Sequence, residues 1–472
     1  MHRLKSTGAV LLIISLLFSG VCVPGEAKTP KIHLNKTNIT LKVGGSTKLK
    51  INGTKKEANW SSSDEGIATV NTKGKVTAKR PGIVTIRARH TKKTLKCRVK
   101  VTPVIAKGLP EFTVHGSTDL PGEFYLSFAY TRNIILLDGR GNIVWSKHED
   151  QPRADKYTGF WDFKKHEING KTYYSYHDNT GTYDDFGLEG FGPGERVILD
   201  DRFHEIKRIT FEKSNTVEKG HPLDGHDFLM IDLDHYILSG YIKDTVYNVP
   251  GHPEGSSVVY SYLQEVKNGK VVWDFRSIDY PELYDLTVTE AVPTAADFAN
   301  ETTDVPDYVH FNSMRIDKNG NLVCSFRHIN SILCLDRSRQ TDQIRWKLSG
   351  SGDEFGLTED QKTSSQHYAS LDNDEIMVFD NGNRTEQTRI GRYHIDESGK
   401  RLLSYEEKKI AGKYSSACGA VQHLRDDLYM IGWGRTENDA VCMSVYDFAN
   451  EHEWISVELA NPRNFTYRCA YY

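Results

Sequence analysis

HFNSMRIDKNGNLVCSFRHINSILCLDRSRQTDQIRW, residues 310–346, reads as two hairpins in succession. An alternating run, HFNSMRI, meets the turn residues Asp-Lys-Asn-Gly, and NLVCSF returns. SILCL then pairs with IRW across a second polar turn. Two hairpins end to end make one four-stranded antiparallel sheet. The pattern recurs through the long C-terminal part of the chain. Hairpins ending close to Trp or another apolar strand occupy 135–145, 197–209, 258–273, 332–346, 391–405 and 442–457. An inner hairpin precedes five of them, at 161–177, 226–241, 310–327, 367–382 and 418–433. A repeat of this length and strand content predicts an all-β fold, a six-bladed β-propeller. The first unit is one strand short, having only FYLSFAYT (124–131) before its outer hairpin. The chain ends on NFTYRCAYY (464–472), so the last strand is expected to supply the missing inner strand and leave no open sheet edge.

Residues 28–103 are a different unit. Short alternating Ile/Val/Leu/Thr runs are broken by GG, KG and PG turns, which predicts about seven antiparallel strands in a small sandwich. The string WSSSDEGIATVNTKGKVTAKRPGIVTI (60–86) resembles the bacterial immunoglobulin-like group 2 family. That resemblance implies a spacer or adhesive module with no catalytic residues. Residues 28–108 hold 20 Lys/Arg against 3 Asp/Glu, whereas the remainder holds 38 against 59. A basic module is thus joined to an acidic one, and contact of the basic module with a cell-wall polyanion is one reading of the split. A solvated surface is the other.

The N-terminus combines basic MHRLK, apolar AVLLIISLLF and small, polar SGVCVPGEA. This is the pattern of a secretory signal peptide at 1–27, with cleavage after Ala27. Cys22 also admits lipidation, although Val21 is a poor residue before a lipidated cysteine. The expected product is secreted or associated with the cell surface. None of the seven cysteines falls in a C-x-x-C or zinc-type spacing, and those left after cleavage are read as packing thiols.

In a propeller the first strand of each blade lies nearest the axis, and all first strands run in one sense. Their starts therefore meet at one channel mouth. Trp161, His226, His310, His367 and Cys418 occupy those starts. Three imidazoles converging on one mouth point to chemistry rather than to packing. Asn312 lies two residues after His310 and is expected on the same side of its strand. Arg327 ends the second strand of that unit, and Asp380 and Asn381 stand at the matching place in the next and are expected, with Asn312, to bind substrate. A guanidinium among imidazoles suits an oxyanion such as sulfate, phosphate or carboxylate. It disfavours a metal centre, so no metal ligand and no cofactor are assigned. No G-x-S-x-G motif is present.

The ordered motifs GHDF (225–228), HFNSM (310–314), CSFR (324–327), QHYASL (366–371), VFDNG (378–382) and YRCAY (467–471) resemble the bacterial arylsulfate sulfotransferase family, over nearly all of 104–472. The resemblance implies a six-bladed propeller that moves a sulfuryl group from an aryl sulfate to a phenolic acceptor, without the nucleotide donor PAPS or a metal. It places His367 as the transiently sulfated nucleophile. It places His226, His310, Asn312 and Arg327 among the sulfuryl-binding and proton-handling groups, and it leaves room for a homodimer. The KLSGSGDEF segment and the Ig-like partner depart from the family pattern. Two other readings stay open from sequence: a non-catalytic propeller binding a ligand or wall glycan, and a sulfatase-like hydrolase.

Overall fold

The computed structural model describes residues 31–152, 158–179, 190–251, 253–288, 307–436 and 439–472. The expected signal peptide and Cys22 lie outside these residues. Among the described residues the chain is all-β, and no helix is long and apolar enough to cross a membrane.

Six four-stranded units follow the hairpin repeat. The third runs Leu229–Asp232, His235–Val246, Ser256–Lys267, Lys270–Arg276. The fourth runs Phe311–Ile316, Leu322–Phe326, Ser331–Leu335, Ile344–Leu348, and the fifth Tyr368–Asp372, Glu375–Asp380, Arg389–Asp396, Arg401–Lys408. In each, sequential strands pair antiparallel, as the tight Asp/Asn/Gly turns require. The sixth, Ala420–Arg425 to His452–Leu459, gains a fifth strand, Phe112–Gly116, which the repeat did not reveal. The first and second units share one nine-stranded sheet, joined by the pair Phe128 and Phe160. Within it Thr466–Tyr471 pairs with Glu123–Phe128, so the last strand of the chain does complete the first unit.

Inner strands of different units also pack together. Thr466–Tyr471 lies against both Phe160–Ile168 and Ala420–Arg425, and Tyr368–Asp372 lies against Phe311–Ile316 and Ala420–Arg425. Between them runs a buried ionic network. Arg468 meets Asp162 at 2.8 Å and Asp227 at 3.3 Å. Arg196 and Lys164 each reach Asp162 at 2.9 Å, and Arg315 reaches Asp227 at 2.9 Å. Burial opposes the charge of Arg468, but Asp162 and Asp227 outweigh it and hold the guanidinium above its usual range. The network ties strands from four units through their side chains.

The Ig-like unit carries a sheet ordered Asn38–Lys42, Lys93–Thr102, Gly82–His90, Asn59–Ser62 over a three-stranded sheet, with Ile86, Ala88, Cys97 and Val99 fully buried between them. One expectation fails here. Asn38–Lys42 pairs parallel, not antiparallel, with Lys93–Thr102, because the loop after it carries the chain into the other sheet. Arg87 faces Lys96 and Thr85 faces Arg98 in register, so cations line the outer face of the larger sheet. The unit is docked on the first two units. Lys79 pairs with Asp201 at 2.6 Å, Arg202 donates to the Gly44 carbonyl at 2.7 Å, and Arg80 donates to the Pro121 carbonyl at 2.8 Å. A Cβ on Gly44, whose φ is +77°, would stand 2.5 Å from the Arg202 carbonyl oxygen.

All six described cysteines are free thiols, and all but Cys418 are buried.

Candidate active site

His310 and His367 immediately precede the inner strands Phe311–Ile316 and Tyr368–Asp372, and His226 stands three residues before Leu229–Asp232. All three, with Arg327, line one cavity of 470 Å³. The rings of His226 and His310 meet edge to face at 4.8 Å. Trp161 and Tyr467 stack at 4.7 Å to form a neighbouring aromatic wall, and the indole N–H donates to the Ala129 carbonyl at 2.8 Å. No carboxylate is among the described lining residues, whereas Arg327 and Arg435 are. The Nε of Arg327 is buried with no hydrogen-bond partner among the described residues. A buried donor without a partner costs about 1–3 kcal/mol, so this guanidinium is available to an anion.

Each imidazole is held from behind, and the partner fixes its tautomer. Asn381 donates through Nδ2 to the carbonyls of Ser415 and Cys418, at 2.8 and 3.1 Å. Its Oδ1 therefore faces His367 Nδ1 at 2.8 Å, and Nδ1 must donate. Asp307 accepts from His310 Nδ1 at 2.5 Å, and Asp224 accepts from His226 Nδ1. In all three rings Nδ1 carries a proton, and neutral His367 keeps its lone pair on Nε2. The partners differ in charge. His367 is backed by a neutral amide, His226 and His310 by carboxylates. Burial first, then Arg327 and His310, push His367 well below the ordinary imidazole range, so it is neutral at pH 7. Burial, His226 and Arg327 do the same to His310. Burial raises Asp307 to about 6.

Three expected site residues do not line the cavity. The reading of Asn312 assumed unbroken alternation from His310. His310 instead has φ +50°, and the register shifts between Phe311 and Ser313, so the strand starts late and the alternation is lost. Asn312 is fully buried and donates to the Gln366 carbonyl at 2.7 Å, bracing the residue before His367. Asp380 accepts from Arg389 at 2.9 Å and from the Ser364 N–H at 2.8 Å, so it holds the loop that enters the fifth unit. Asn381 acts on the site only through His367.

Sequence reading also missed Asp224, Asp307 and His328. The signal was local: Asp224-Gly-His226 and Asp307-Tyr-Val-His310 each put a carboxylate within a turn of the imidazole it holds. His328 stacks on His310 at 4.6 Å and donates from Nδ1 to the Asp307 carbonyl at 2.6 Å. Asp307, His310 and His328 bring ligand atoms within 4.8 Å of one another and could hold a metal ion. A carboxylate thus stands beside the imidazoles. A metal bound through Asp307 Oδ2 and the two Nδ1 atoms would have to displace the hydrogen bonds just given.

Fold and cavity together define an all-β protein with three buried imidazoles and a guanidinium around one basin. The arylsulfotransferase (ASST) family matches residues 100–471, and the bacterial Ig-like domain (group 2) matches 28–101. The chain belongs to the arylsulfotransferase family, and membership supports aryl sulfotransferase activity in general terms. No curated protein matches it. Solved structures with some likeness include virginiamycin B lyase from Staphylococcus aureus, at 11% identity and TM-score 0.34, covering 85% of this chain and 100% of that one. A streptogramin B lyase matches at 10% identity and TM-score 0.33, covering 74% and 98%. Domains 5–6 of the S-layer protein SbsC match at 20% identity and TM-score 0.14, covering 38% and 94%.

Proposed function

We propose that the protein is an arylsulfate sulfotransferase working by two displacements through a sulfated His367. The observation that carries this reading is the contrast in backing partners: an amide behind His367, carboxylates behind His226 and His310. An amide-backed imidazole stays neutral and nucleophilic, while a carboxylate-backed one is suited to hold a proton. In the first step the Nε2 lone pair of His367 forms the N–S bond and the S–O(aryl) bond breaks. The departing phenolate takes an Nε2 proton shared by the His226–His310 pair, whose Nδ1–H groups donate to Asp224 and Asp307. In the second step an acceptor phenol returns a proton to that pair, its oxygen attacks sulfur, and the N–S bond breaks. Arg327 holds the sulfuryl oxygens while charge shifts, as in loose phosphoryl transfer. Neither step needs PAPS or a metal.

We read the six sheet units as blades of one closed six-bladed β-propeller. The pairing of the last strand with the first unit and the packing of inner strands across units support it. Export after removal of residues 1–27, and contact of the cationic Ig-like face with an anionic wall polymer, belong to the same proposal. Release of the protein from isolated walls by salt tests the contact.

The testing assay mixes the protein with a chromogenic aryl sulfate, with and without a phenol, in EDTA. Phenol-dependent chromophore release that survives chelation is expected. Release independent of phenol favours the hydrolase reading, and no release favours a binding module.

The acid limb of the rate has a predicted origin. Asp307, at about 6, loses its charge as pH falls through that value, and a neutral Asp307 no longer fixes the Nδ1 proton of His310. Asp224, His226 and His328 are the charged and titratable groups that face this pair. The expected profile of kcat/KM therefore falls below about pH 6. Asp307→Asn should lower the plateau by about 10–100-fold and remove that limb. A limb of unchanged position in Asp307→Asn contradicts the assignment.

A further inference from the structure

His328 has no part in the two displacements, yet it lines the catalytic cavity beside His310. Both rings hang on Asp307. His310 Nδ1 donates to its carboxylate at 2.5 Å, and His328 Nδ1 donates to its backbone carbonyl at 2.6 Å. The rings stack at 4.6 Å with 24° between their planes. Two imidazoles anchored through Nδ1 on one residue, and nearly parallel, turn their Nε2 atoms the same way, away from Asp307 and toward the cavity they line. The two atoms offer different things. His310 shares an Nε2 proton with His226 in the proposed mechanism. His328 is neutral, held down to about 3 by burial first and then by His310. With its proton on Nδ1, its Nε2 can only accept a hydrogen bond, and no group among the described residues donates to it. The short turn Arg327–Ile329 therefore sets a donor-only guanidinium next to an acceptor-only nitrogen. The first suits sulfuryl oxygens. The second repels them and receives an O–H.

Resting on the sulfotransfer reading, we infer that His328 Nε2 is a subsite for a second hydroxyl of the acceptor, so that 1,2-dihydroxybenzenes are the preferred acceptor class. The reacting hydroxyl gives its proton to the His226–His310 pair as its oxygen bonds sulfur and the N–S bond to His367 breaks. The neighbouring hydroxyl keeps its proton and donates to His328. Two hydroxyls on adjacent ring carbons match two Nε2 atoms that open side by side. A single hydroxyl leaves His328 without a donor, and a methoxy group sets an oxygen lone pair against the nitrogen's.

Three acceptors tested with one aryl sulfate donor isolate the hydrogen that His328 would receive. Catechol carries it, 2-methoxyphenol replaces it with a methyl group, and phenol controls for the bulk of that methyl. The kcat/KM for catechol is expected to exceed that of each of the others by about tenfold. His328→Phe keeps a ring to stack on His310 but has no lone pair. In that variant both ratios should fall to about two, the factor that catechol's two equivalent hydroxyls give by number alone. A purely structural role for His328 would lower all three acceptors together and leave the ratios as they were. Ratios near two in the unaltered protein, or ratios that survive His328→Phe, overturn the subsite, and the first of these results needs no variant. If no phenol of any kind speeds release from the donor, the sulfotransfer reading itself fails and the subsite with it.

Discussion

His367→Ala is expected to lower the turnover of aryl sulfate by about a thousandfold or more, with the fold intact. The size follows from the proposed mechanism, because the substitution removes the protein atom that would bond to sulfur. What remains is a basin with Arg327 and two carboxylate-backed imidazoles, able to bind the anion and orient water or phenol but not to split the transfer in two. The structural cost is small. The imidazole is 5% exposed and its Nδ1 bonds Asn381 Oδ1, whose amide keeps its bonds to Ser415 and Cys418. An unchanged near-ultraviolet circular dichroism spectrum with lost turnover is the expected pair of results. More than a tenth of the original rate in a folded variant contradicts the role.

Arg468→Ala carries the largest expected effect on stability. Its guanidinium is buried between Asp162 and Asp227 and also donates to the Asn312 carbonyl at 3.0 Å. Removing one partner from a buried ionic set leaves charges uncompensated, at a cost of about 3–5 kcal/mol. Lys164, Arg196 and Arg315 remain to neutralise the aspartates in part, so the lower end of that range is the expectation. Deleting residues 463–472 should cost more. It removes the same guanidinium and also strips the strand that pairs with Glu123–Phe128. Urea unfolding measures both. A midpoint unmoved by Arg468→Ala would mean that the network contributes nothing to holding the inner strands together.

The hairpins were legible because period-two alternation and Asp/Asn/Gly turns are local signals. The three histidines were legible because the repeat put them at equivalent strand starts. The errors have local physical causes. At His310 a left-handed backbone angle and a register shift broke the alternation that was to place Asn312. At Asp380 a single nearby arginine, Arg389, took the carboxylate that was assigned to substrate. His328 was hidden because the short turn Arg327–Ile329 ends the strand and carries its side chain to the cavity with that of Arg327. The ionic network was out of reach. Asp162, Asp227, Arg315 and Arg468 are far apart in the chain, and only the approach of inner strands from different units brings them together.

The central claim is a bond between sulfur and His367. Mixing the protein with an aryl sulfate in the absence of phenol, followed by proteolysis and mass spectrometry, tests it directly. The account predicts one sulfuryl group on the peptide containing His367, lost when phenol is added and absent in His367→Ala. Turnover that proceeds with no adduct, or with the adduct on another residue, contradicts it.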